Sequence, residues 1–257
     1  MVIRFLILMT ACLVAGCVSH DRLNLEASNG QLALVRNGQP ILVSNKKNVV
    51  LLFPVQATLN ARDRPSFVVM IKNNGKQMST FTVSQVSAQC ETPSGIAPLH
   101  VYSYEELRQE EQSKQRRQMF AAALTGLGRS LQATSSGYVT TNGTVSGSTY
   151  AFSGTYTSTT YDPARVAAAQ SAAQEQTAAE FDAIRVQGAK KLEALNYSVL
   201  KDNTLLPSEV YAGIITLKAP DKTDGKAKYT ITIPFAGETH SFQVIQTKLE
   251  SYSASAI

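Results

Sequence analysis

The 257-residue chain carries 24 lysines and arginines against 19 aspartates and glutamates, a formal charge of +5, with 44% hydrophobic residues and no tryptophan. So modest and dispersed a basic excess means solubility and mild attraction to anionic surfaces, and it excludes nucleic acid as a partner. The only basic clusters are Lys46-Lys47 and Lys114/Arg116/Arg117, and acidic residues crowd the second. The length suits one large or two small domains.

Residues 1–16 show the zones of a secretory signal. Arg4 supplies a positive charge, Phe5 to Leu13 is apolar apart from Thr10, and Ala15-Gly16 are small. The apolar run falls far short of the roughly 20 residues that span a bilayer as a helix. Leu13-Val14-Ala15-Gly16-Cys17 resembles the lipobox of bacterial lipoprotein precursors. That resemblance implies cleavage between Gly16 and Cys17, a diacylglycerol thioether on Cys17, and a fatty acyl chain such as palmitate on its amino group. Val18 stands where aspartate would signal inner-membrane retention, which implies an outer-membrane address facing the periplasm. Two or three chains, at about 0.8 kcal/mol per buried methylene, anchor essentially permanently. With Cys12 lost in the leader and Cys17 acylated, Cys90 has no disulfide partner and reads as a small buried hydrophobe in a strand.

Residues 17–29 are polar and read as a tether. Strand-like runs follow. Gln31 to Arg36 and Pro40 to Ser44 flank Asn37-Gly38, a type I′ hairpin signal. Val49 to Phe53 and Ser66 to Lys72 are apolar runs, the second closed by Asn73-Asn74-Gly75. Met78 to Gln89 alternates with one slip between Val83 and Val86, which suggests a bulge.

The middle of the chain changes character. Ser103 and Glu106 form a capping-box pattern, and a helix is expected from Tyr104 to about Ala133 with Phe120, Leu124, Leu127 and Leu131 on one stripe. A second helix starts at Asp162-Pro163 and runs to about Leu195, alanine-rich from Ala164 to Ala179. It then shows Phe181, Ile184, Gly188, Leu192 and Leu195 at coiled-coil-like spacing. The lengths, about 45 and 50 Å, suggest an antiparallel hairpin, with two helices lying flat on a sheet as the competing arrangement. In that hairpin the alanine-rich start of the second helix is expected against Ala121-Ala122-Ala123. Between the helices, 134–161 is built almost entirely of Ser, Thr, Gly and Tyr. Tyr138, Tyr150, Phe152 and Tyr156 share parity. A low-complexity loop, a polar β-hairpin, and a strand pair that joins other copies in a membrane barrel all stay open.

Strands return at Glu209 to Lys218, with Gly213 inside. Lys228 to Ile233 alternates cleanly through Tyr229, Ile231 and Ile233, and Ala236-Gly237 turns into His240 to Thr247. About five strands before the helices and three after make one sandwich. The expected fold is α+β, an Ig-like antiparallel β-sandwich (30–102 and 201–250) interrupted by a long antiparallel helical hairpin insertion (103–200).

No cofactor or metal is expected, because His20, His100 and His240 with one free cysteine cannot assemble a His/Cys cluster. Gly126-Leu127-Gly128 lacks the third glycine of a dinucleotide fingerprint and reads as close helix packing or fraying. Glu238 and His240, two apart, read as a structural pair at a turn. With no catalytic constellation, the expected role is a non-enzymatic, lipid-anchored component of an envelope assembly that binds a protein partner through the helical hairpin. The alternative is an oligomeric outer-membrane export channel, or its accessory, with 134–161 as pore strands. A weaker alternative is a hydrolase or inhibitor of envelope polymers.

Overall fold

A computed structural model describes residues 20–28, 30–60, 63–147, 152–220 and 226–248. The leader, Gly16 and the lipidation candidate Cys17 lie outside the described residues, as does Tyr150. Among the described residues the chain forms two compact units, 1–106 with 197–257 and 107–196.

The first unit is an antiparallel β-sandwich, and the fold is α+β. Its first sheet contains β1 (His20–Glu26), β5 (Thr58–Asn60), β8 (Ser87–Thr92), β9 (Gly95–Leu99), β15 (Lys226–Phe235) and β16 (Glu238–Lys248), in the spatial order β5-β1-β16-β15-β8-β9. The second contains β2 (Gln31–Arg36), β3 (Gln39–Asn45), β4 (Val49–Pro54), β6 (Ser66–Lys72), β10 (Val101–Tyr102) and β14 (Val210–Leu217), in the order β10-β14-β6-β4-β3-β2. A side ribbon pairs β7 (Ser79–Phe81) with β13 (Asn203–Leu205).

Alternation in the sequence becomes alternation in burial. In β15 the residues Ala227, Tyr229, Ile231, Ile233 and Phe235 are all buried, while the residues between them are partly exposed. Cross-strand partners Val50 and Ile71, and Leu52 and Val69, share the inner face of the second sheet. Each such side chain contributes about 1.5–3 kcal/mol by leaving water. Both two-residue hairpins turn through left-handed backbone, at Asn37-Gly38 (φ 51° and 77°) and Ala236-Gly237 (φ 50° and 78°), as type I′ turns require.

Two expectations fail in this unit. The tether reading of 17–29 fails over His20–Glu26, which pairs along six positions with β16 and along three with β5. Leu23 enters the core, and Asp21 is buried because the Gln246 side-chain amide donates to its carboxylate at 2.6 Å. Gln246 in turn accepts from the Tyr229 hydroxyl, whose pKa burial pushes upward, aided by Cys90 and Asp21. The expected bulge between Val83 and Val86 is a single 3₁₀ turn, Val83–Gln85. The register slips there because the chain leaves the side ribbon at β7 and enters the first sheet at β8.

The second unit takes up the helices α1 (Tyr104–Ser135) and α2 (Pro163–Ser198) and the hairpin of β11 (Tyr138–Gly147) with β12 (Phe152–Tyr161). Ser103 Oγ accepts from the Glu106 N–H at 3.2 Å, and Glu106 accepts from the Ser103 N–H at 2.7 Å, a complete capping box. Asp162 caps α2 by accepting from the N–H groups of Ala164 and Arg165. The base of the β-hairpin is closed by the Asp162 N–H donating to Gly137 O at 2.9 Å.

Candidate functional site

The helical hairpin is held together by its small residues. The α1 seam reads Gln115, Met119, Ala122, Gly126, Arg129, Ala133, a 4-3-4-3-4 spacing in which every member is buried or half-buried. Its opposite number on α2 includes Val166, Ala173, Thr177, Phe181 and Gly188. A Cβ at Gly126 would lie 2.7 Å from the Thr177 side chain, and one at Gly188 would collide with the Gln115 amide. Across the seam, Arg129 donates twice to Glu180, at 2.7 and 3.0 Å. That pairing raises the Arg129 pKa and holds the Glu180 carboxyl below its usual range.

The large apolar residues of α1 are elsewhere. Phe120, Leu124, Leu127 and Leu131 remain 66%, 54%, 64% and 75% exposed. They repeat the same 4-3-4 spacing, rotated roughly 150° from the small-residue seam at about 100° per residue. The helix therefore carries two heptad seams, one closed by α2 and one open among the described residues. Ala122, Gly126 and Ala133 lie in the α1–α2 seam, and the stripe stands outside it. The space at Gly126 is taken by the Thr177 side chain and that at Gly188 by the Gln115 side chain, so the seam is filled by small residues and by longer ones reaching across. Along the seam Ala173 and Ala178 of the alanine-rich stretch of α2 stand with Ala123, Gly126 and Ser130 of α1. An apolar groove of about 510 Å³ lies along the hairpin, walled by Leu127, Ala178 and Phe181 among others.

The other chemical candidates resolve into structure. Glu238 accepts from the N–H groups of Lys47 and Asn48 and from the Asn48 side-chain amide, each at 2.8 Å. Burial raises its pKa, but those donors outweigh burial and leave it below the ordinary carboxylate value. His240 is fully buried, with Nδ1 2.9 Å from Ser44 Oγ and Nε2 3.9 Å from Glu238. Burial lowers its pKa. Lys46 Nζ donates to Thr239 O at 2.6 Å. The pair is thus a clasp fastening the β3–β4 turn to the β15–β16 turn, with no open face towards a substrate. Cys90 is buried and unbridged, and burial pushes its thiol up to about 11, which makes it an unreactive packing residue.

A groove of about 870 Å³ in the sandwich unit has Val86, Leu99 and Leu200 in its wall and His100, Glu106 and Asp202 at its edge. Its polar groups serve the fold. Glu106 caps α1 and bonds His100 at 2.9 Å, Asp202 accepts from the Val83 N–H at 2.7 Å, and Lys201 Nζ sits 4.0 Å over the Tyr104 ring. Among the described residues no cluster of His, Cys, Asp and Glu has metal-site geometry, and no helix is long and apolar enough to cross a membrane. No family model matches the chain, and comparison with curated proteins and with solved structures finds no match.

Proposed function

We propose that the protein is a non-enzymatic, lipid-anchored component of a bacterial envelope assembly, held in the outer membrane through Cys17 on the periplasmic side, and that α1 docks its partner. The observation that carries this reading is the open seam of Phe120, Leu124, Leu127 and Leu131. Four large apolar side chains aligned on one helix face lose about 25 cal/mol per Å² by remaining in water, and a sustained 4-3-4 repeat of that kind fits a second helix. The lipobox residues Val14-Ala15-Gly16-Cys17 support the anchor.

Two experiments test the two halves separately. Cys17→Ser should abolish acyl labelling and release the protein from membranes or leave it uncleaved; unchanged labelling and fractionation overturn the anchor. Photo-crosslinkers at Leu127 and Leu131 in native membranes should trap a discrete protein partner. Leu124→Glu combined with Leu131→Glu should abolish that adduct while the protein stays folded. Persistence of the same adduct in the double variant, or no adduct at either position, overturns the docking role.

A further inference from the structure

Val49 to Phe53 and Phe67 to Ile71 are apolar without a break, the pattern of strands covered on both faces, whereas a strand with water on one side alternates. Half of each run, Val50 and Leu52 with Phe67, Val69 and Ile71, fills the sandwich core. The other half points out of the sandwich, and strand pairing aligns it across five strands. Leu32, Val43, Leu51, Met70 and Ala212 form one row, each the cross-strand partner of the next. In the row beside it Leu34 pairs with Ile41, Phe53 with Val68, and Val68 with Ile214. None of these side chains is buried, and Leu32 is 56% exposed. At about 4.8 Å between strands, each row runs about 19 Å. The result is a flat apolar surface of the kind that marks a membrane or protein contact.

The outward face of the first sheet is the reverse. Arg22, Asn24 and Glu26 of β1 stand beside Thr247, Ile245 and Gln243 of β16, and Lys228, Thr230 and Thr232 of β15 follow. Ile245 is the exception there. The polar groups join one another across the surface, Asn24 donating to Thr247 at 3.1 Å and Lys228 pairing with Glu26 at 3.6 Å. One sandwich thus carries a face built for water and a face that water does not suit.

Charge and position say what covers the apolar face. At its two ends, still at outward positions, stand the exposed Arg36 and Lys72. Among the described residues no carboxylate occupies an outward position of β2, β3, β4, β6 or β14. An apolar centre with basic ends matches a bilayer with anionic headgroups, whose acyl region takes the first and whose phosphates take the second. Backbone in the middle of the sheet is already paired, so no N–H or C=O is stranded when water leaves. β1 begins only three residues after Cys17. At about 3.5 Å per residue that stretch matches the roughly 10 Å between packed sheets. An acylated Cys17 therefore reaches lipid while the second sheet lies on it.

We infer that the outward face of the second sheet lies on the anionic bilayer that holds the lipid anchor, with the first sheet turned to the periplasm. The inference rests on the proposed anchor at Cys17 and adds the orientation of the body it holds.

The test uses the full lipidated chain in vesicles of phosphatidylethanolamine and phosphatidylglycerol. A fluorophore is attached in turn at Val43, Leu51, Thr230 and Gln243, all half-buried, through single cysteine variants, Cys90 being buried. Quenching by spin-labelled lipid should be strong at 43 and 51 and absent at 230 and 243, with aqueous iodide giving the reverse. Met70→Glu places a charge beside Leu51 and should abolish lipid quenching there while the chain stays folded and vesicle-bound. Arg36→Glu with Lys72→Glu, at exposed positions, should weaken the quenching when phosphatidylglycerol is present. Undiminished quenching in both variants overturns the inference. Equal iodide access at all four positions, with the chain still on the vesicles, overturns it and leaves the anchor standing. Iodide exclusion at 43 and 51 without lipid quenching also overturns it, since a protein then covers the face. A chain with Cys17 intact that does not stay with the vesicles overturns both the inference and the anchor.

Discussion

The sandwich and the helical hairpin solve the problem of burial in opposite ways. In the sandwich the largest side chains are inside: Phe67, Phe81, Tyr229 and Phe242 have no exposed surface. In the hairpin the buried residues are Ala122, Ala133, Val166, Ala173 and Gly188, and the large ones face outward. One unit completes its core by itself. The other leaves its strongest apolar surface exposed, and under the proposed docking role it should gain stability on binding its partner.

That contrast can be broken most sharply at Phe67. Phe67→Ala should cost the sandwich about 3–5 kcal/mol by leaving a cavity between two sheets, read as a fall in the urea midpoint. A loss below about 1 kcal/mol would mean that the sandwich is not the self-sufficient unit. Next in size is Gly213→Ala. The added Cβ would lie 2.7 Å from Leu200 Cα and 2.8 Å from its nitrogen, and backbone cannot step aside, so about 1–3 kcal/mol of overpacking is expected. Gly188→Ala, by contrast, meets only the end of the flexible Gln115 side chain and gains helix propensity of up to about 1 kcal/mol. It should be neutral or stabilising by thermal melting, and a large loss would show the seam to be as rigid as the core.

A smaller effect is expected from acid. The folded state lowers the pKa of His240 below its ordinary 6.5, so the unfolded chain binds the proton more readily and stability rises with pH. The contribution is complete above the ordinary value and is lost as pH falls through it towards the lowered one. Glu238, also lowered, adds its own loss only below the ordinary carboxylate value of 4.5. Unfolding midpoints should therefore decline between neutral pH and the mildly acidic range, and His240→Gln should flatten that decline; an unchanged slope counts against the clasp as its source. The smallest change belongs to the open seam. Leu127→Ala and Leu131→Ala should each leave unfolding of the unassembled protein within about 0.5 kcal/mol, while weakening assembly. Destabilisation comparable to Phe67→Ala would erase the distinction between the units.

Legibility in the sequence follows the same division. The alternation of Tyr229, Ile231 and Ile233, the Asn37-Gly38 turn and the Ser103–Glu106 capping box each carry a local signal strong enough to read. β9 carries little local signal because Pro98 sits in it, tolerated at the sheet edge where a lost N–H costs little. β1 is not legible locally because Asp21 has the look of a solvated residue, and the Gln246 amide that satisfies it comes from far along the chain. The stripe of Phe120, Leu124, Leu127 and Leu131 is legible as periodicity, but what it faces is not, because two heptad seams on one helix give the same spacing. The Ser/Thr/Gly/Tyr segment left several structures open, since parity along a strand pair changes meaning with the length of the turn.

The early start of β1 has a consequence for reach. Only three peptide steps separate Cys17 from His20, a leash of at most about 11 Å when fully extended. With Cys17 acylated, as proposed, the start of β1 stays within a few water layers of the lipid headgroups. A one-point leash of that length limits how far the start of β1 can rise from the surface while leaving rotation about the anchor free.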